Sequence, residues 1–109
     1  MSNFEKLKTF EPLASSLTIK DSPIHGLGLF AITEISSDIE LGISHVKDDR
    51  FSHGYIRTPL GGFFNHSKKP NCKAVYDGDF IKIITLSNIN SGDEITVDYT
   101  KHDWIKKNQ

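Results

Sequence analysis

The sequence predicts a mostly β fold built from small antiparallel sheets. Three observations lead to this prediction: short apolar stretches of strand length recur, turn-forming residues separate them, and an Asp-Gly pair stands between two β-type stretches. The sequence lacks the alternation of strands with long helices that is typical of a parallel α/β fold. At 109 residues the chain has the length of one domain, so we expect a single unit over residues 1–109.

The N-terminal stretch is the least regular part of the sequence. Phe4, Leu7 and Phe10 have a helix-like spacing that ends at Pro12, so residues 1–14 form either a short helix or an N-terminal arm. Next, residues 17–20 are predicted to form the first strand.

A turn and a glycine loop follow the first predicted strand. Asp21-Ser22-Pro23 turns the chain, and residues 28–32 form a buried apolar run after the loop. Residues 39–44 alternate apolar and polar side chains, which predicts a half-buried strand. Its inward side chains are expected to be Ile39, Leu41 and Ile43.

The second half of the chain carries the clearest hairpin. Residues 45–60 are polar and irregular, with Tyr55 and Ile56 the main candidates for burial. After them, residues 73–76 and 80–86 flank Asp77-Gly78-Asp79, and Asp-Gly supplies the positive φ angles of a tight hairpin turn. Residues 90–93 form a second turn, residues 95–99 a last strand, and residues 100–109 a polar tail apart from Trp104 and Ile105.

Composition narrows the range of functions. Lys plus Arg number 13 and Asp plus Glu 14, so the charge of −1 offers no electrostatic basis for binding nucleic acid directly. The single cysteine, Cys72, excludes an internal disulfide framework and a Cys-rich zinc site, and the five histidines lack metal-site spacing. No apolar stretch has the length of a membrane span, and the first residues do not resemble a signal peptide. We therefore expect an intracellular protein without a metal.

Three segments could carry chemistry. Gly26-Leu27-Gly28 lacks the third glycine of a dinucleotide fingerprint, and remains a loop whose backbone a ligand can approach closely. The Asn65-His66 pair is either a turn held by its own polar groups or a set of ligand contacts. Tyr99 is either an amphipathic tyrosine at a sheet edge or a catalytic hydroxyl. A nucleophilic-serine elbow and a phosphate loop are both missing from the sequence, so a hydrolase or a kinase has no support.

Together these segments resemble the SET-domain protein lysine methyltransferases. Gly26-Leu27-Gly28 is similar to the family's Gly-x-Gly loop, and residues 64–72, Phe-Asn-His-Ser-Lys-Lys-Pro-Asn-Cys, are similar to its Asn-His-Ser-x-x-Pro-Asn motif. Residues 92–99, Gly-Asp-Glu-Ile-Thr-Val-Asp-Tyr, resemble its Gly-(Asp/Glu)-Glu-Leu-x-x-Asp-Tyr ending. The order of the motifs matches, and the resemblance covers roughly residues 17–99.

The resemblance implies a fold, a cofactor and an assembly. The fold is a SET-domain, β-clip-like arrangement in which the Asn65-His66 segment and the chain near Tyr99 form a knot-like crossing. The cofactor is S-adenosylmethionine. The short length and Trp104, five positions after Tyr99, most resemble the minimal SET proteins of large DNA viruses, which implies a homodimer.

The resemblance also implies roles for single residues at the cofactor. The backbone of Gly26, Leu27 and Gly28 would cradle the methionine part of S-adenosylmethionine. Asn65 and His66 would hold its amino-acid and adenine ends.

Further roles concern the methyl group and the substrate. Tyr99 would sit where the methyl group leaves sulfur and meets the substrate nitrogen, and Trp104 would cover the adenine. The walls of the substrate channel would be Phe63, Phe64, Tyr76 and Val97.

Three residues depart from the family pattern around this channel. Val97 stands where many relatives carry Phe or Tyr, so the number of methyl groups added is open. Ala74 and Lys101 stand where some relatives place channel tyrosines, which implies a wider or differently built channel.

The implied activity is methylation of the ε-amine of a protein lysine. The substrate would be a lysine-bearing protein tail, with a histone tail as one candidate, and neither nucleic acid nor a membrane would be a direct partner. The location would be the host nucleus if the host is eukaryotic and the cytoplasm otherwise. Two alternatives remain open: a catalytically silent SET-like module that binds a peptide or partner, and a methyltransferase for a small amine.

Overall fold

A computed structural model of the chain describes residues 13–52 and 54–101. Within these residues the chain forms short strands, one short helix and a final 3-10 turn at Tyr99–Lys101. The elements are β1 (Leu17–Asp21), β2 (Leu27–Ala31), β3 (Glu40–Lys47), β4 (Tyr55–Arg57), α1 (Pro59–Phe63), β5 (Asn65–His66), β6 (Cys72–Asp77), β7 (Phe80–Thr85) and β8 (Thr96–Val97). The predicted helix or arm before residue 13, and Trp104 in the tail, lie outside the described residues.

Three small sheets organise the described chain. β1 and β2 form an antiparallel pair, and β4, β3, β7 and β6 form a four-stranded antiparallel sheet in that order. β5 and β8 form a two-stranded parallel pair. The prediction of a mostly β fold with small antiparallel sheets is therefore confirmed, with the β5–β8 pair as the one parallel exception among these sheets.

The predicted hairpin is the β6–β7 pair. Its strands are in register from Cys72 opposite Thr85 to Asp77 opposite Phe80, and Gly78 has a φ of +60° in the turn. The second predicted turn is also present, with a φ of +92° at Gly92. In both turns glycine adopts the left-handed conformation that other residues avoid.

The face that β3 buries differs from the prediction. The ladder with β7 is interrupted twice, between Glu40 and Gly42 and between Ile43 and His45. Each irregularity shifts the alternation by one residue. Ser44 and His45 are both fully buried, whereas Ile39, just before β3, is 44% exposed, so the inward placement of Ile39 was wrong.

Residues 45–60 contain more structure than the sequence indicated. They complete β3, form β4 and begin α1, whose N-cap is Thr58. The Thr58 hydroxyl accepts a hydrogen bond from the Gly61 amide at 3.3 Å, which satisfies a free donor of the first turn. The predicted burial of Ile56 was wrong: it is 38% exposed, because β4 is an edge strand.

One apolar cluster joins the three sheets. It contains residues from β1, β2, β3, α1, β6, β7 and β8, together with Phe64 immediately before β5. Burial of Phe64 and Val97 on either side of the β5–β8 pair fixes this pair against the core. In the described ranges, no helix is long and apolar enough to cross a bilayer.

Candidate functional site

The parallel β5–β8 pair brings two of the three sequence motifs together. Asn65 pairs with Thr96 and His66 with Val97, although some 30 residues separate them in the chain. Immediately after β8, the backbone N–H of Tyr99 donates a hydrogen bond to His66 Nδ1 at 2.9 Å. The Asn-His motif and the Asp-Tyr ending are therefore neighbours.

The Tyr99 phenol is fixed on the same side of this pair. Its hydroxyl donates to the carbonyl oxygen of Phe64 at 2.8 Å, and its ring centroid lies 5.0 Å from that of His66. Burial, with a smaller contribution from the charge of Glu94, raises the pKa of Tyr99 to about 12. At neutral pH the phenol is therefore protonated, with its proton directed at a backbone oxygen.

His66 orients Tyr99 and has a carboxylate beside it. Because Nδ1 accepts the Tyr99 N–H, a neutral His66 ring carries its proton on Nε2. Asp98 Oδ1 lies 3.9 Å from the same Nδ1 and accepts hydrogen bonds from both the amide and the hydroxyl of Thr100. The bond from the Thr100 hydroxyl is the main reason why the pKa of Asp98 is lowered.

The Asn65 side chain connects β5 to the glycine loop. Its amide nitrogen lies 2.7 Å from Glu94 Oε2, 3.2 Å from the His25 carbonyl oxygen and 3.4 Å from that of Leu27. An amide group has two hydrogens to share among these acceptors. The third motif is thereby joined to the other two, and the Asn65 side chain acts on the loop itself.

Ser22 and Glu94 complete this connection, although neither was predicted from the sequence as a site residue. The Ser22 hydroxyl lies 2.8 Å from both carboxylate oxygens of Glu94, and its oxygen accepts the Ile24 N–H at 2.9 Å. The signal for Glu94 was its place within the Gly-Asp-Glu motif. For Ser22 there was no such signal beyond a predicted turn. Its partner Glu94 is 72 residues away, so local sequence does not reveal the contact.

The glycine loop has the geometry of a backbone cradle. Gly26 has a φ of +48° and open space where a side chain would stand, and Leu27 is 48% exposed. Gly28 is buried, and a Cβ there would overlap the Glu94 carboxylate and lie 2.9 Å from Ser22 Cβ. An exposed backbone at Gly26 and Leu27, with a carboxylate packed against Gly28, fits the close approach of a polar ligand.

The four residues expected in the substrate channel occupy different surroundings. Phe64 and Val97 are 2% and 0% exposed and belong to the core cluster, against which the partly buried Phe63 packs. Tyr76 is 54% exposed, on the edge strand β6 close to the hairpin turn. The structure therefore places Phe64 against the Tyr99 ring, with centroids 6.0 Å apart, keeps Phe63 and Val97 at or in the core cluster, and leaves Tyr76 on the outer part of β6.

A pocket of about 240 Å³ adjoins the 3-10 turn that begins at Tyr99. Its lining residues come from the Asn-His loop, β6, the end of β7 and the turn, and they are Pro70, Cys72, Lys73, Ala74, Leu86, Asp98 and Lys101. Two of them, Ala74 and Lys101, are the positions at which channel tyrosines were missing from the sequence. The Cys72 thiol is buried, which raises its pKa to about 12, so it is not a nucleophile at neutral pH.

Comparisons with known proteins agree with this arrangement. The model of the SET domain family matches residues 42–100. An H3 lysine-37 specific histone-lysine N-methyltransferase of Schizosaccharomyces pombe is 26% identical over 117 residues, covering 86% of this chain and 80% of that protein.

Solved structures show the same fold. A Plasmodium falciparum protein assigned as a histone methyltransferase superposes with a TM-score of 0.64 at 21% identity, over 79% of this chain and 94% of that one. The methyltransferase domain of human PR domain-containing protein 2 superposes with a TM-score of 0.62 at 15% identity, over 86% of this chain and 81% of that one.

Proposed function

The chain belongs to the SET domain family, and on that premise we propose that it transfers a methyl group from S-adenosylmethionine to the ε-amine of a protein lysine. The observation that carries the proposal is the meeting of three distant segments. Tyr99 forms hydrogen bonds with the Phe64 carbonyl and the His66 ring, and the Asn65 side chain forms one with the glycine loop. The proposed unit is a single SET domain over residues 1–109.

The exposed backbone of Gly26 and Leu27 and the end of β5 would hold S-adenosylmethionine. When bound, this cofactor supplies a methyl group on a positively charged sulfur. The residues of the chain then have two tasks, which are to present the target amine in line with that methyl group and to keep the amine unprotonated. Alignment of reacting groups is worth about 7–11 kcal/mol of a reaction barrier.

The target lysine must lose its proton before it can act as a nucleophile. Because the ordinary pKa of a lysine side chain is ~10.4, its deprotonation at pH 7 costs about 4–5 kcal/mol. Apolar walls such as Phe63 and Phe64 reduce this cost, because desolvation disfavours the charged ammonium. Tyr99 is unsuited to the role of general base at neutral pH, since burial keeps its phenol protonated.

The geometry favours Tyr99 as an orienting group. Because its proton is directed to the Phe64 carbonyl, the lone pairs of the phenol oxygen are available to accept a hydrogen bond from the target amine. The pocket beside Ala74 and Lys101 would receive neighbouring parts of the substrate, and the number of methyl groups transferred is left to experiment.

The proposed substrate is a lysine-bearing protein tail. A histone tail is the first candidate, because the relative from Schizosaccharomyces pombe is a histone-lysine N-methyltransferase. The corresponding location is intracellular, in the nucleus of a eukaryotic host. A homodimer remains part of the proposal and is tested by the mass of the protein in solution.

The variant Tyr99→Phe tests the mechanism. We expect turnover on histones or on lysate proteins to fall by about 100-fold or more. Turnover is measured by mass spectrometry with isotopically labelled S-adenosylmethionine. Cofactor affinity in calorimetry should change by no more than about twofold, because the phenol hydroxyl serves alignment rather than binding. Tyr55→Phe, on β4, is the matched control and retains turnover.

Each alternative has its own result in these assays. Full turnover by Tyr99→Phe removes Tyr99 from the mechanism. If wild-type protein gives no heat with S-adenosylmethionine, the chain is a silent SET-like module. Methyl label found on small amines but on no protein indicates a small-molecule methyltransferase.

A further inference from the structure

Glu94 is a half-buried carboxylate without a cationic neighbour in the part of the chain that the structure describes. Its two oxygens accept hydrogen bonds from the Ser22 hydroxyl at 2.8 Å and from the Asn65 amide at 2.7 Å. Within residues 13–52 and 54–101, no Lys, Arg or His side chain lies within ion-pair distance of the Glu94 carboxylate. Neutral donors hold the carboxylate in place, but they leave its negative charge uncompensated.

This uncompensated charge lies between the two halves of the proposed site. On one side Gly28 packs so closely against the carboxylate that a Cβ would overlap it, and Asn65 links it to the loop carbonyls. On the other side Asn65, which donates to the carboxylate, is followed by His66, which accepts the Tyr99 N–H, and the charge of Glu94 contributes to the raised pKa of Tyr99. The carboxylate therefore acts on the region between the glycine loop and the phenol.

Charge is what distinguishes the cofactor from its product. S-adenosylmethionine carries a sulfonium cation, whereas the S-adenosylhomocysteine left after transfer carries a neutral thioether at the same sulfur. The amino-acid and adenosine parts are the same in both molecules. A fixed negative charge near the sulfur therefore stabilises the bound cofactor and leaves the product almost unaffected.

We propose that Glu94 is a specificity residue of the cofactor site, whose carboxylate favours a sulfonium over a thioether and thereby promotes exchange of product for fresh cofactor. The proposal rests on the proposed function. It assigns Glu94 a role in addition to holding the loop, and the two roles separate experimentally because holding the loop affects both ligands equally.

Calorimetric titration of three ligands into purified full-length protein tests the proposal. The ligands are S-adenosylmethionine, S-adenosylhomocysteine and sinefungin, which carries an ammonium group in place of the sulfonium. In Glu94→Gln, which keeps the size and one acceptor oxygen of the side chain, we expect the two cationic ligands to weaken by about fivefold relative to the thioether. Glu94→Asp keeps the charge and should restore most of the preference.

Ser22→Ala is the matched control. It removes a hydrogen bond to the carboxylate and a support of the loop, but keeps the negative charge. All three ligands should weaken by a common factor, so that the ratios of their dissociation constants stay at the wild-type values. Melting temperatures of the ligand-free variants report any loss of folding.

The outcomes separate this inference from the proposed function. Unchanged ratios in a folded Glu94→Gln variant overturn the specificity role and leave the methyltransferase proposal intact. Absence of binding by wild-type protein to all three ligands contradicts the cofactor assignment and the inference with it. If Glu94→Gln does not fold, the affinities of the wild-type protein for S-adenosylhomocysteine and sinefungin are compared instead. Tighter binding of the neutral thioether than of sinefungin contradicts the role of the charge.

Discussion

His45 is a fully buried ionisable side chain in the middle of the four-stranded sheet. The Ser44 hydroxyl donates to the Ile81 carbonyl, so it accepts a hydrogen bond from His45 Nδ1 at 3.0 Å. Burial, together with the charge of Arg57 on the neighbouring strand β4, lowers the pKa of His45 to about 4. At neutral pH the core therefore contains an uncharged imidazole.

The lowered pKa of His45 predicts a loss of stability in mild acid. The unfolded chain takes up the proton near pH 6.5, whereas the folded protein resists it until about pH 4. Stability is therefore complete above pH 6.5 and falls as the pH drops toward 4, by up to about 3 kcal/mol. Urea unfolding at pH 7 and pH 5 measures the change. His45→Gln should lose most of this pH dependence. His25→Gln, at an exposed site, is the control and should keep it. The reverse pattern would show that His45 is not the source of the pH dependence.

At the scale of single residues, the sequence located the motifs and missed their supports. Asn65, His66 and Tyr99 stood out because their types and spacing match a family pattern, and their contacts to one another agree with that pattern. Ser22 and Glu94 did not stand out, because a serine in a turn and an acidic residue in a motif are both common. Only the folded structure shows that these two residues, 72 positions apart in the chain, are in contact.

At the scale of elements, local rules predicted some structures and tertiary contacts decided others. The β6–β7 hairpin followed from its Asp-Gly turn, because the turn residues alone select that geometry. α1 was not foreseen, since Gly61 and Gly62 are poor helix formers. Its N-cap is Thr58, and glycine stands at position 61 because α1 passes so close to β3 that a Cβ there would overlap the Ser44 carbonyl oxygen.

The contact between α1 and β3 predicts opposite effects for two adjacent glycines. Gly61→Ala pushes α1 away from β3, and we expect it to lower the free energy of unfolding by about 2–3 kcal/mol. A Cβ at Gly62 would have no atom within 4 Å, so Gly62→Ala should raise this free energy by about 0.5–1 kcal/mol through reduced chain entropy. Equal effects in urea unfolding would contradict the close approach of α1 to β3.

At the scale of the whole molecule, distant segments are joined by few backbone ladders and several side-chain bridges. β5 and β8 pair over two residues each, which is little for a parallel ladder. Asn71 adds to it: its side chain donates to the Glu94 carbonyl at 2.8 Å and accepts the Thr96 N–H at 2.9 Å. The sequence marked Asn71 only as part of the motif over residues 64–72, because a bridge to residues 94–96 depends on the complete fold.

Removal of this bridge should be costly for the entire domain. Asn71→Ala leaves a half-buried carbonyl and the N–H of the buried Thr96 without their partner, so we expect a loss of about 3 kcal/mol in the free energy of unfolding. Asn88→Ala removes a single exposed hydrogen bond to the Ser37 amide and should cost about 0.5–1 kcal/mol. Chemical denaturation of both variants measures the difference, and a mild effect at Asn71 would show that the ladder suffices.

The pairing of β5 with β8 also has a consequence for protein synthesis. During translation, residues 65–66 leave the ribosome well before residues 96–99, so the β5–β8 pair and the bond from the Tyr99 N–H to His66 form late. A nascent or prematurely terminated chain that ends before residue 94 has the glycine loop but neither Glu94 nor Tyr99. Under the proposed function, such fragments lack the phenol that orients the target amine and would transfer no methyl group.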